Sequence, residues 1–402
     1  MDPLRWVAHH QRWFLVLVVA SALAASGCTT SVSRNPTPET LVDPLGLPDL
    51  SEIRHWGDLD SPHTRKWLAT PADVIAERFG GIVGTEHHYL CISGGGAEGA
   101  FGAGLLVGWT ESGTRPEFTF VTGISTGALT APFAFLGPSY DAKLEEMYTS
   151  YSTSDLLEKR GLFKVLKGDA IFDTDPLQHL LATYVDEQML EDLAAEYRRG
   201  RQLNIGTTNL DAGRPVVWNV TRIAASGHPR ALELIRQIIL ASAAIPTLFP
   251  PVFIQVERDG RVLDEMHVDG GTTSQVFFYP ADVDMGAVVE KFDVRGTPRL
   301  YLIFNSWTEP EFEPVEPELM SITRRSISTL IRTQGVGDLY RLFVLADRDG
   351  IDYNLAFIPD TFHEKPAEQF DKVYMGKLFE LGYEAARQGF AWKKLPPGFE
   401  PG

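Results

Sequence analysis

The sequence predicts an α/β fold with a mainly parallel central sheet flanked by helices. Two stretches carry this prediction. The apolar run His88–Ser93 leads into a glycine-rich turn and an apolar segment with helical composition that ends near Trp109. The run Phe118–Val121 is followed in the same way by Gly123–Gly127 and a series of small residues. Strands that alternate with helices through short turns typically form parallel sheets.

The composition bounds the class of protein. The chain has 402 residues, of which 44% are hydrophobic and 22% charged, so it is long enough for one large domain. Its formal net charge of -17 argues against nucleic acid as a partner. His87-His88 and His9-His10 have no further ligand spacing, so the sequence predicts no metal site.

The first residues are typical of an export signal rather than of folded structure. Residues 13–25 form an apolar run of about thirteen residues, which is shorter than the roughly 20 needed to span a membrane. The run ends in Ala24-Ala25-Ser26-Gly27-Cys28, which resembles a bacterial lipoprotein signal, although Ala25 stands where leucine is usual. The resemblance implies that 1–27 is a cleaved signal peptide and that lipidated Cys28 anchors the chain in the membrane. The alternative is a plain secretory signal.

The organisation of the rest follows from composition. Thr29 follows the cysteine where an aspartate would favour the inner membrane, so we expect an outer-membrane lipoprotein facing the periplasm. Residues 28–70 are rich in proline and polar residues, which predicts an extended tether. Residues 71–402 are then expected to form the main folded domain, with a helical extension at its C-terminus.

Apolar spacing predicts the remaining elements. Helices are expected at 71–79, 144–157, 176–184, 187–198 and 232–242, and strands at 203–207, 216–220, 253–256, 261–264 and 300–304. Residues 308–318 read as an exposed acidic loop, and amphipathic helices follow it at about 327–331 and 339–346. Arg324, Arg325 and Arg332 either form a solvated face or contact anionic lipid.

The first glycine cluster has two interpretations. Gly94, Gly96 and Gly99 match a dinucleotide-binding fingerprint between strand and helix. A nucleotide-dependent oxidoreductase would need an acidic residue at the end of the next strand, and that strand ends in Gly123 and Ser125 instead. The other use of such a loop is to direct backbone N–H groups at a developing oxyanion. The serine on the next strand favours this second interpretation.

Ser125 is the candidate nucleophile. It lies in Gly123-Ile124-Ser125-Thr126-Gly127, and the flanking glycines would let strand and helix approach a strained turn. Two candidate bases are open. His363 with Asp269 as its partner would complete a triad in chain order, whereas Asp269 alone, followed by Gly270 and Gly271, could act directly on the serine.

These motifs, in this order, resemble the patatin-like phospholipases. The resemblance covers residues 89–279 and includes two supporting stretches, 171–177 and 241–251. It implies a three-layer patatin-like fold and hydrolysis of lipid acyl esters without metal or cofactor. It also implies a Ser125–Asp269 dyad and an oxyanion hole at Gly94, Gly95 and Gly96. Motif support would come from the remaining glycines, namely Gly99, Gly123, Gly127, Gly270 and Gly271.

The chain departs from the family pattern at two points. Glu98 stands where arginine or lysine is usual, and Thr272–Gln275 contains no asparagine after the Asp-Gly-Gly motif. Glu98 in particular leaves open a second class of function, a non-catalytic lipid-binding or envelope scaffold lipoprotein that keeps the fold.

Overall fold

A computed structural model describes residues 34–38, 50, 52–161, 170–258, 260–310 and 312–400. The predicted signal peptide at 1–27 and the predicted lipidation site Cys28 lie outside these residues, so both stay predictions.

Strands and helices alternate over much of the described chain. The strands are β1 (Arg54–Trp56), β2 (His88–Ile92), β3 (Phe120–Gly123), β4 (Glu158–Lys159), β5 (Phe172–Asp173), β6 (Gln202–Asn209), β7 (Arg214–Asn219), β8 (Val252–Arg258), β9 (Arg261–Asp269), β10 (Arg299–Phe304) and β11 (Asp352–Phe357). The α-helices are α1 (Pro62–Ala69), α2 (Ala72–Arg78), α3 (Gly99–Glu111), α4 (Thr126–Leu136), α5 (Asp141–Thr149), α6 (Thr153–Leu156), α7 (Asp175–Tyr184), α8 (Glu187–Arg199), α9 (Val220–Ala225), α10 (Ala231–Ser242), α11 (Met285–Lys291), α12 (Leu319–Arg348) and α13 (Lys372–Arg387).

The central sheet has a parallel core. Strands β6, β3, β2, β10 and β11 lie side by side in that order and are parallel to one another. Beyond β6 the sheet continues antiparallel through β7 to β1, and β9 pairs with the end of β6 and with β8. The predicted mainly parallel α/β sheet is therefore confirmed, and the strands expected at 203–207, 216–220, 253–256 and 261–264 pair as two hairpins, β6–β7 and β8–β9.

Helices cover both faces of this sheet, which gives three layers. On one face, Leu90, Ile92 and Val121 belong to a core cluster that includes side chains of α3, α4, α10 and α13. On the other face, Tyr89 and Cys91 belong to a cluster with side chains of α12. Successive strand residues point to opposite faces, so short fully apolar strands are needed at the centre.

The C-terminal helix is part of this core. A Cβ atom at Gly104 of α3 would collide with the carbonyl oxygen of Phe379 in α13, and one at Gly382 of α13 would collide with that of Phe101. The two helices therefore touch through their backbones, which only glycine allows. The helical extension predicted from sequence is packed against α3, the helix that follows the first glycine cluster.

The predicted tether is shorter than 28–70 in the structure. Leu50, Ile53 and Trp56 are buried in the main core cluster, β1 pairs with β7, and α1 follows. Further upstream, at the edge of β9, the Asp264 N–H donates to the carbonyl oxygen of Asn35 and the Asn35 N–H donates to Asp264 Oδ2. Composition predicts a tether because this segment has more prolines than core-forming apolar residues. Even so, Leu50, Ile53 and Trp56 are all buried in the core.

Two further differences concern the C-terminal third. The two helices predicted after residue 318 form one helix, α12, whose first half is exposed: Leu330 retains 69% of its accessible surface. Arg324 and Arg325 pair with Glu313 of the acidic loop. The sequence did not predict β11, because Asp352 and Asn354 interrupt its apolar pattern. In the described part of the chain, none of the helices combines the length and the apolar character that crossing a bilayer requires.

Candidate active site

Ser125 lies on a sharp turn between β3 and α4. Its φ of 55° and ψ of -124° are strained for a residue with a side chain, and the serine is only 6% exposed. A Cβ at Gly123 would collide with the carbonyl oxygen of Gly127, and one at Gly127 would collide with that of Ile92. Both flanking glycines are therefore required sterically, as the sequence predicts.

The backbone of this turn is fixed from α10. The Ser125 N–H donates to Ser242 Oγ at 3.0 Å, and the Ser242 hydroxyl donates to the carbonyl oxygen of Gly206 at 2.7 Å. Ser242 is fully buried at the end of α10. In the sequence, this serine lies within the supporting stretch 241–251, where no local pattern indicates its role.

Asp269 is the last residue of β9, where the strand meets β6. It is 5% exposed, and its Oδ1 accepts the N–H of Gly271 at 2.7 Å. A Cβ at Gly270 would lie 2.5 Å from the carbonyl oxygen of Gly206, so this glycine lets β9 turn close to β6. The structure thus brings together two predicted residues that lie 144 positions apart in sequence (269 minus 125).

The electrostatics of Asp269 follow from its burial. Burial raises the pKa of Asp269 to about 7, although hydrogen bonds from the Ser125 hydroxyl and the Gly271 N–H lower it in part. A carboxyl group with a pKa near 7 is about half ionised at neutral pH. It can therefore accept a proton from a reacting group and later return it. The alternative base, His363, is exposed in the segment between β11 and α13.

The glycine loop passes beside Ser125. A Cβ at Gly94 would lie 3.2 Å from the Cβ of Ser125, and Gly96 lines the same cavity as Ser125. Gly96 has a φ of 64°, which favours glycine. The N–H of Gly94 already donates to the carbonyl oxygen of Gln275 at 3.1 Å, so Gly95 and Gly96 are the members of the predicted trio left as oxyanion donors.

Three polar residues for which the sequence predicts no role, Asn305, Gln275 and Asp338, hold this loop and the Asp-Gly-Gly turn in place. Asn305 donates from Nδ2 to the carbonyl oxygen of Ser93 and accepts the Gly102 N–H, each at 3.1 Å. Gln275 donates from Nε2 to the carbonyl oxygen of Gly271 at 2.7 Å, and its own N–H donates to Asp338 at 2.7 Å. Gln275 therefore occupies the space between the two glycine motifs in a chain that lacks the family's asparagine.

Glu98 lies next to the loop, and a residue of the C-terminal helix α13 fixes its side chain by a hydrogen bond. Its Oε1 accepts the hydroxyl of Tyr374 at 3.0 Å, and its Oε2 would be 3.9 Å from a Cβ at Gly96. A negative charge thus stands close to the candidate oxyanion donors. Gly99, one residue further on, packs directly against Thr126 at the start of α4.

An apolar cavity opens at Ser125. Its lining combines side chains of α4 to α7, of the segment after α10, and of the C-terminal region, namely Leu129, Met147, Leu156, Leu177, Leu180, Ile245, Phe249, Phe370 and Met375. This lining suits the hydrocarbon part of a substrate. Among the residues that the structure describes, no group of three histidine, cysteine, aspartate or glutamate side chains is arranged to hold a metal ion.

One comparison with known proteins identifies a family. The model of the Patatin family, patatin-like phospholipase, matches residues 90–282. The chain therefore carries a domain of the patatin-like phospholipase family, as the sequence motifs predict. No curated protein matches its sequence significantly.

Two solved structures match this chain with low TM-scores and low sequence identity. VipD from Legionella pneumophila has a TM-score of 0.37 and 12% identity, with 91% of this chain and 72% of that chain covered. Human GIVD cytosolic phospholipase A2 has a TM-score of 0.29 and 11% identity, with coverages of 72% and 52%, so the match spans about half of that protein.

Proposed function

We propose that this protein is a lipid acyl hydrolase in which Ser125 and Asp269 form a catalytic dyad. The observation that supports this most is the burial of the Asp269 carboxyl group within interaction range of the Ser125 side chain, with a pKa of about 7 that suits a general base. The apolar cavity at Ser125 supports an acyl chain as the part of the substrate bound there. Membership of the patatin-like phospholipase family supports a lipid ester as the substrate class.

The reaction proceeds in two halves. Ser125 Oγ attacks the ester carbonyl carbon while Asp269 takes the hydroxyl proton, and the negative charge on the carbonyl oxygen is stabilised by the N–H groups of Gly95 and Gly96. The tetrahedral intermediate collapses, the C–O bond to the alcohol breaks, and Asp269 returns the proton to the leaving oxygen. Water, deprotonated by Asp269, then attacks the acyl-enzyme, and the fatty acid leaves with Ser125 restored.

The test is kinetic. Ser125→Ala and Asp269→Asn are assayed on short-chain esters and on phospholipid, with His363→Ala as the matched control. We expect the first two variants to lose at least a thousandfold in turnover and the third to keep wild-type activity. Wild-type turnover in either dyad variant refutes the dyad, and loss of activity in His363→Ala would favour the triad instead.

A second candidate is a non-catalytic lipid-binding lipoprotein, and Glu98 is the observation that favours it. Its carboxylate beside Gly96 would oppose the negative charge of an oxyanion. Covalent labelling by a fluorophosphonate probe discriminates between the two functions. A hydrolase should label at Ser125 and lose the label in Ser125→Ala, whereas a binding protein has no activated serine.

We also propose that Cys28 carries the lipid that anchors the domain to the periplasmic face of the outer membrane. The sequence around this cysteine supports the proposal. Metabolic incorporation of an alkyne-tagged fatty acid should depend on Cys28 and disappear in Cys28→Ala, which should fractionate as a released protein. Labelling that persists in Cys28→Ala would overturn the proposal.

A further inference from the structure

A second cavity lies at the end of the sheet away from Ser125. It is bounded by the first residues of β2, β3 and β6, by helices α1 and α2, and by the segment 278–292. Its volume is about 120 Å³. It shares no lining residue with the cavity at Ser125, so it belongs to a different site.

Aromatic rings form the walls of this second cavity. Trp67, Phe79 and Phe292 contact one another edge to face, with ring centroids 5.4 Å apart for Trp67 and Phe79 and 5.3 Å apart for Phe79 and Phe292. Phe278 and Tyr89 lie with centroids 4.8 Å apart on the sheet side. Rings arranged in this way can make edge-to-face or stacked contacts with another aromatic ring that lies among them.

One polar atom in the lining has no partner. Asn204 lies on β6 in register with Thr122 of β3 and is 4% exposed, and its Oδ1 is buried without a hydrogen bond among the residues described. Because a buried carbonyl oxygen without a donor destabilises the folded protein, a group that donates to it would bind favourably.

The neighbouring polar groups are already engaged. His87 Nε2 bonds to the carbonyl oxygen of Ile82 at 2.9 Å, so this nitrogen carries the proton and Nδ1 accepts from the Tyr89 hydroxyl at 3.0 Å. Asn219 donates to Gln202 Oε1 at 3.1 Å. These groups therefore leave the acceptor on Asn204 to a molecule inside the cavity.

The cations at the rim already have partners. Arg222 forms a salt bridge with Glu52 at 2.8 Å, and Arg78 donates to the neutral hydroxyl of Tyr197 at 3.4 Å. A carboxylate or phosphate would have to compete with Glu52 for Arg222 and lose hydration against a mostly apolar lining, so the lining favours an uncharged ligand.

We propose that this second cavity binds a small, uncharged aromatic molecule with a hydroxyl group, of the size of a phenol. The ring lies among the aromatic walls, and the hydroxyl donates to Asn204 Oδ1. The volume of about 120 Å³ is of the same order as the apolar protein cavity of about 150 Å³ that accepts benzene. This binding is independent of the proposed hydrolysis at Ser125.

The experiment uses the whole protein and 4-fluorophenol observed by fluorine NMR. Wild type should show saturable binding with a Kd below about 1 mM. Such a Kd is within the range that efficient binding of a ligand with so few non-hydrogen atoms can reach. Val288→Phe, which places a ring in the second cavity, should abolish the binding. The matched control Leu177→Phe, which fills the cavity at Ser125 instead, should leave it unchanged.

A second variant tests the hydrogen bond. Asn204→Leu should weaken 4-fluorophenol binding at least tenfold while fluorobenzene still binds, which also shows that the cavity remains folded. The proposal is overturned if Asn204→Leu weakens both probes equally, or if Val288→Phe still binds. It is equally overturned if wild type shows no saturable binding at tenfold the expected Kd, since the cavity then holds only water.

Discussion

Replacing Asp269 with asparagine should stabilise the folded protein at alkaline pH while it abolishes hydrolysis. The reason is that burial raises the pKa of this carboxyl group from 3.8 to about 7. Ionising it in the folded state therefore has a free-energy cost that the unfolded chain does not bear. Asparagine keeps the acceptor Oδ1 for the Gly271 N–H, and its amide group can donate to Ser125 Oγ.

The size and sign of the effect follow from proton linkage. The pKa difference between the folded and unfolded chain is about 3 units, which corresponds to roughly 4 kcal/mol. Between about pH 4 and about pH 7 the folded state binds more protons than the unfolded state, so stability falls as the pH rises through this window. Asparagine does not titrate. We expect a gain in the free energy of unfolding of roughly 1–4 kcal/mol above about pH 8, since the new amide loses some hydration.

The measurement is urea unfolding of wild type and Asp269→Asn at about pH 5 and about pH 8.5. The two proteins should differ little at the lower pH and separate at the higher one. In wild type, kcat/KM should also fall about tenfold per pH unit below about pH 7, because Asp269 is then protonated. A difference in stability that is the same at both pH values, or a variant that is less stable than wild type at alkaline pH, would refute the reasoning.

Three further predictions concern the supports of the site. Ser242→Ala should lower the free energy of unfolding by roughly 1–3 kcal/mol and slow fluorophosphonate labelling of Ser125, because two backbone groups lose their partner. Arg54→Met should cost roughly 3–5 kcal/mol by urea unfolding, because it removes the cationic partner of the buried Glu265 carboxylate, and adding Glu265→Gln should recover most of that loss. Glu98→Gln should raise kcat about two- to fivefold, since charges at partly exposed sites contribute roughly 0.3–1 kcal/mol, and an unchanged or lower kcat would show that Glu98 does not oppose the oxyanion.

The parts of the site that sequence reasoning predicted are those with local signals. Gly123 and Gly127 bracket Ser125 at a fixed spacing, because the strand and helix that they join must approach within van der Waals distance. Asp269 follows an apolar strand and precedes two glycines, which is also a local pattern. Such residues can be identified because the constraint that selects them acts on their immediate neighbours in the chain.

The supporting residues could not be predicted in this way. Ser242 bonds to a residue 117 positions earlier, and Asn305 bonds to one 212 positions earlier. In sequence, each is one polar residue at the end of an apolar element, and such positions are commonly occupied by residues that only face solvent. Their role depends on which strand ends the fold brings together, and that depends on the order of strands in the sheet rather than on any local spacing.

Residues of the N-terminal segment around β1 also help to fix β9, the strand that carries the proposed base Asp269. Arg54 of β1 forms a buried ion pair with Glu265, and His267 Nε2 lies 3.0 Å from Glu265 Oε2. Burial raises the pKa of Glu265, but the charge of Arg54 and the hydrogen bonds from His267 and Arg54 outweigh it and hold the pKa at about 2. Because Glu265, His267 and Asp269 alternate along β9, this strand is fixed from the segment that composition alone assigns to a tether.

That arrangement constrains the proposed membrane anchor. Arg34 pairs with Asp211, and Asn35 bonds to residues of β9, so the chain is attached to the domain at residues 34 and 35. If Cys28 is the lipidated residue, the six residues from 28 to 34 can span at most about 20 Å, even when fully extended. The edge of the domain formed by β8 and β9 would then lie close to the bilayer. A lipid hydrolase held in this way would act on its own membrane rather than reach across the periplasm.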